Sequence, residues 1–440
     1  MPPAADSKPY YKQPSKWLLV FFALGCLALF LLWLSGRSTL GKKLAELRKQ
    51  GLPTTSTELN DYYKVPEGEK DTTDLWVAAI DAVTNVDLDS VPKDMPVLGF
   101  DAEPVPSPDE EWEKLDESRE FLETLSDEMK LVYAAAEAGG VARYPVDFTP
   151  GFNAVLPYAQ DARSVARLFT LQAHVHAHDR AFDQSHTDIL AIFALRNSFQ
   201  AEPTMISQLI VNAFHAIGCE ATEDLLPHCG WNDEKLSKLQ TVVAAMDFMH
   251  GARTGLIGER TFVLTGMGSF PLGPFRQSAS RDVLAHFEDC LEATEQPWSE
   301  AIVRMEAIDA NLKQRSQGTI GRFATMPLTM LAPATTQCFV AGARSDCRKN
   351  FTVLALAAQR YRLKHGHLPD SLDDMTSEFL PSTEADLKLD HFDGQPLRFK
   401  SDNTGITIYS IGFDQKDDGG DIETTEEGLQ PQDAGVFIAS

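Results

Sequence analysis

The sequence predicts a mainly α-helical protein with an amino-terminal transmembrane helix, an irregular helical bundle or solenoid-like middle, and a small α+β domain at the carboxyl end. Three observations carry that prediction. A run of eighteen uncharged residues lies near the start of the 440-residue chain. Apolar residues then recur at three-and-four spacing through most of its length. Short strand-like segments appear only in the last part, after Pro396.

The first element is Trp17 to Leu34, WLLVFFALGCLALFLLWL. As a helix rising ~1.5 Å per residue it covers about 27 Å, enough to span the hydrocarbon core. Trp17 and Trp33 stand at its ends, where indole rings prefer the interface, and Lys16 and Arg37 mark the boundaries with water. The run is longer than a signal-peptide core and no A-x-A-like site follows it, so a retained anchor is expected. Basic residues flank it on both sides, Lys8, Lys12 and Lys16 before and Arg37, Lys42, Lys43, Arg48 and Lys49 after, so charge counting does not orient it. A short early tail and an acidic carboxyl end favour residues 1–16 as cytoplasmic and the bulk of the chain as extracytoplasmic.

Residues 35–112 read as a juxtamembrane helix and a proline- and acid-rich linker. The amphipathic stretch Lys42 to Gln50 stops at Gly51-Leu52-Pro53, Pro66-Glu67-Gly68 forms a turn, and Thr72 to Val83 resumes a helical pattern. From Asp87 to Glu111 no apolar period is sustained, which predicts a long loop. The helical domain, 113–333, opens with Glu113 to Glu137. It continues over Asn153 to Ala181, Thr187 to Phe199, Pro203 to Leu226, Asp233 to His250, Ser280 to Ala293 and Trp298 to Arg315. Asn232 or Asp233 is placed to cap the helix that follows. The tail, 334–440, is predicted as a long helix from Ala334 to His365, then strands at Leu397 to Lys400 and Ile406 to Ile411.

The net charge of −25 argues against nucleic acid as a partner, because phosphate binding needs concentrated Lys and Arg. Cations or basic proteins fit better. The six cysteines contain no CxxC pair of zinc-ribbon type, and the five outside the apolar run allow at most two disulfides.

Two clusters are candidate sites. His174-Val175-His176-Ala177-His178-Asp179 is the densest set of metal-ligand residue types. On a helix His174 and His178 share a face and His176 points elsewhere, so a metal held by His174, His178 and Asp179 needs a further ligand such as His186 or Asp183. Such a centre predicts a metal-dependent hydrolase, and His178-Asp179 is similar to the adjacent pair of metal-dependent phosphohydrolases. The second cluster is Asp414, Asp417, Asp418 and Asp421 beside Gly419 and Gly420. Hard cations such as calcium prefer oxygen sets of this kind, although the spacing is not that of an EF-hand. The turn Thr265-Gly266-Met267-Gly268-Ser269 lacks the residues of a phosphate loop or a hydrolase elbow and reads as a flexible loop.

The stretches Tyr361-Arg362-Leu363-Lys364-His365-Gly366-His367-Leu368-Pro369, Asp390-His391-Phe392-Asp393-Gly394-Gln395-Pro396-Leu397 and Tyr409-Ser410-Ile411-Gly412-Phe413-Asp414 occur in that order. Together these last ninety or so residues resemble the carboxyl region of type II secretion major pseudopilins. The resemblance implies a helix feeding a Gly-x-x-Pro turn, a small sheet, and a calcium loop at Asp414, Asp417 and Asp421. Gln415 stands where the family commonly has glycine, and the family's Gly-Phe cleavage site and fifth-position glutamate are absent. The whole chain also resembles bacterial single-pass anchored proteins with a helical middle and this tail. The expected function is a structural or protein-interaction role in the cell envelope. The alternatives are the hydrolase just described and an accessory component of a secretion or pilus-like assembly.

Overall fold

The structure, a computed structural model, describes residues 39–85, 91–99, 101, 103–270, 272, 276–330, 332–375, 378–380, 385–422 and 433–440. The apolar run 17–34 lies outside them. No helix among the described residues is long and apolar enough to cross a membrane.

The chain is mainly helical, as expected. In order come α1 (39–49), α2 (Ser56–Tyr62), α3 (Thr73–Thr84), α4 (Leu115–Thr124) and α5 (Ser126–Ala138). Next are α6 (Pro157–His178), α7 (Phe182–Ser198), α8 (Met205–Leu225), α9 (Asp233–Ala244) and α10 (Phe248–Gly266). Then follow α11 (Arg276–Ala293), α12 (Trp298–Arg315), α13 (Gly318–Thr329) and α14 (Ala332–His365), and last the strands β1 (Arg398–Ser401), β2 (Gly405–Ser410) and β3 (Ala434–Ala439).

Local chemistry explains several of the boundaries. Side-chain oxygens of Thr55, Thr204, Asn232 and Asp247 accept from backbone amides in the first turns of α2, α8, α9 and α10, satisfying donors that a helix start leaves free. The Asp247 cap divides the single helix expected over Asp233 to His250 into α9 and α10. The loop expected at Thr265 to Ser269 is instead the end of α10 and the turn after it, with Met267 buried. α14 ends where Gly366, at φ +83°, donates its amide to the Arg362 carbonyl at 2.9 Å, a left-handed C-terminal stop that glycine adopts without strain.

One hydrophobic cluster runs from Trp76 to Ile438. At its centre is α14, whose stretch Phe351, Val353, Leu354, Ala355, Leu356, Ala357 and Ala358 is buried on every side, the mark of a helix enclosed by others. It packs on α8, α9, α10 and α12 and against β3. The division read from sequence at 333/334 therefore marks a change in secondary structure within a shared core. Likewise the loop of 91–112 lies against that core through Met95, Val97, Leu98, Val105 and Trp112. The sheet is antiparallel in the order β1-β2-β3, with Ile408 opposite Val436 and Ile406 opposite Ile438. These four are buried while Phe437, on the other face, is exposed.

Candidate functional site

The acidic turn follows β2. Asp414 accepts from the amide and the ammonium of Lys416, both at 3.2 Å, and these contacts hold its carboxyl below the usual range. Asp417 Oδ1 accepts from the Gly419 amide at 2.9 Å and the Tyr409 hydroxyl at 3.3 Å, while Lys400 Nζ donates to the Gly419 carbonyl at 2.6 Å. Gln415 takes φ +58°, the left-handed conformation in which a glycine is unstrained. The residue that sequence reasoning missed is Asp433, at the entrance to β3. It is fully buried, its Oδ2 accepts from the Gly420 amide at 2.7 Å, and the backbone amide of Asp418 also faces the carboxylate. Burial, together with the charges of Asp417 and Asp418, pushes its carboxyl up. Asp421 takes part through its carbonyl, which accepts from the Asp433 amide at 3.0 Å. Asp417 and Asp418 thus act on Asp433 through their charge, while Asp414 is left on its own lysine. Among the described residues no three carboxylate, imidazole or thiol groups converge as a metal-ligand set. The signal for Asp433 was its position, one acid opening the final apolar run AGVFIA.

The histidine cluster ends α6 and divides as helical geometry dictates. His174 is buried, its Nδ1 without a partner among the described residues and its Nε2 4.0 Å from Asp224, beyond hydrogen-bond reach. Burial drives its pKa down to about 4. His178 Nε2 donates to the Pro106 carbonyl at 3.1 Å, and its ring lies 4.9 Å from that of Trp112. Asp179 pairs with Arg119 of α4, at 2.6 and 3.3 Å. His178 and Asp179 thus fasten the 103–112 loop and α4 to α6. The suggested further ligands face α9 instead, His186 bonding the Lys235 carbonyl and Asp183 the Lys235 ammonium, both at 3.0 Å. The metal centre expected of His174, His178 and Asp179 is not assembled, because each candidate is already committed elsewhere or buried apart.

His176, on the opposite side of α6, meets a different partner. Its Nδ1 lies 2.6 Å from Oδ2 of Asp188, a fully buried carboxylate on α7. Oδ1 of Asp188 accepts from the Tyr133 hydroxyl on α5, and Gln172 Nε2 donates to that hydroxyl at 2.8 Å. Burial raises the Asp188 carboxyl, opposed by its two donors, and burial with the Asp188 charge raises the Tyr133 phenol. Tyr133, Gln172 and His176 line a cleft of about 990 Å³ between α3, α5, α6, α7 and α9. His176 and Asp188 are twelve residues apart on the two helices that the short α6–α7 turn folds together, a pairing that only the tertiary fold reveals.

Cys219, Cys229, Cys290, Cys338 and Cys347 are free thiols. Burial pushes Cys219, Cys229 and Cys290 up to about 12, which disfavours the reactive thiolate. No protein-family model, no curated protein and no solved structure matches this chain.

Proposed function

We propose that this is a membrane-anchored envelope protein with a structural or protein-interaction role, whose carboxyl-terminal loop is stabilised by calcium. The observation that carries the calcium reading is Asp433, a carboxylate that burial and the charges of Asp417 and Asp418 push toward its protonated form. A buried charge in that position is unfavourable unless paired, and a hard cation is the partner that oxygen donors and neighbouring carboxylates select. Asp433, Asp417 and Asp418 are the carboxylates that would face the ion. The order of helix, left-handed Gly366, Asp390 segment and antiparallel sheet supports the pseudopilin-like reading of the tail, and with it a place beside secretion or pilus-like assemblies.

Calcium titrated into the full chain in detergent tests this. Binding to the native state alone raises stability by about 2.7 kcal/mol at a hundredfold excess over Kd. The expected result is a rise in melting temperature with calcium, smaller with magnesium and lost in Asp433→Asn and Asp417→Ala. An unchanged melting temperature in the unmodified chain would sink the proposal.

A further inference from the structure

The cleft beside His176 is unrelated to the acidic loop. Burying the Asp188 carboxylate carries a desolvation penalty, which an apolar residue at this place in the core would avoid. Both of its donors, His176 and Tyr133, present an edge to the cleft. Because Asp188 accepts at Nδ1, the hydrogen bond places the proton of the neutral imidazole there and turns Nε2, which has no hydrogen bond among the described residues, into an acceptor, the arrangement by which proteins orient a histidine toward a ligand or a proton.

The remaining walls define what the cleft receives. Its depth is apolar, with Trp76, Leu190, Ala191, Ala194 and Val242. Glu137, Asp183 and Lys238 are exposed at its edge and carry both signs, with Asp183 already paired to Lys235 at 3.0 Å. No single-sign field selects an ion, so the ligand class is uncharged. We propose that this cleft is a small-molecule site for a neutral compound with an apolar body and a hydroxyl group, the hydroxyl donating to His176 Nε2. Tyr133 and Gln172 are positioning residues, holding Asp188 and the cleft wall in place.

Catechol is a suitable probe, being a small, water-soluble aromatic that carries the required hydroxyl. Calorimetric titration of the full chain in detergent is expected to give saturable binding at one site per chain. His176→Ala should weaken it at least tenfold. Ala194→Phe, which fills the cleft without touching the hydrogen-bonded network, should abolish it and keeps the test decisive if the first variant does not fold. Either no saturable binding up to millimolar catechol, or unchanged affinity in the folded variants, overturns the proposal.

Discussion

Asp390 is fully buried and accepts from the Ser410 hydroxyl at 2.7 Å, the Phe392 and Ile411 amides at 3.0 Å, and Arg398 Nη1 at 2.6 Å. It ties the turn before β1 to the end of β2. Asp390→Ala strands those donors, so the substitution should lower stability by about 3–5 kcal/mol in chemical denaturation, the range for breaking a buried ion pair. Its neighbours in the sequence motif owe their order to this carboxylate. His174 makes a pH prediction. Its pKa falls from 6.5 to about 4 on folding, so the unfolded chain takes up the proton first and stability is lost as pH falls from about 6.5 toward 4. The full loss is about 3 kcal/mol. His174→Gln should show a correspondingly flatter stability profile over that window, and identical profiles would refute the assignment.

Among the elements, α10 shows how sequence and packing diverge. Gly251, Gly255 and Gly258 dilute its apolar period, and no helix was expected between His250 and Ser280. In the fold these three glycines face the start of α8: a Cβ at Gly255 would lie 2.5 Å from Met205 Sδ, and one at Gly258 1.7 Å from the Pro203 carbonyl oxygen. The Pro203 backbone has little room to yield, so Gly258→Ala should destabilise by roughly 1–3 kcal/mol, read from the shift in denaturation midpoint. Helices with an ordinary apolar stripe, such as α3, α11 and α12, were legible to within a few residues, as were the apolar α14 and the strands β1 and β2. The strand β3 was not, because its pairing with β2 is set by residues far apart in sequence. The candidate sites follow the same rule. The local run Asp414 to Asp421 could be read directly, whereas Asp433 and the Asp188–His176 pair exist only through tertiary folding, and the hydrogen bonds to Pro106 and Arg119 that occupy His178 and Asp179 cross from other elements.

For the molecule as a whole, the enclosure of α14 decides how the parts depend on one another. The tail supplies the helix around which α8, α9, α10 and α12 close. A chain ending at residue 333 should therefore lose the cooperative thermal transition of the full protein, and a sharp transition in the truncated chain would show that the body needs no such centre. The same enclosure sets a schedule during synthesis. Roughly 100 residues separate the end of α10 from the end of α14, and at ~5–20 residues per second their translation takes about 5–20 s. Throughout that interval α8, α9 and α10 are complete while the faces that α14 covers stay open, so burial of those faces waits on the chain's own late helix.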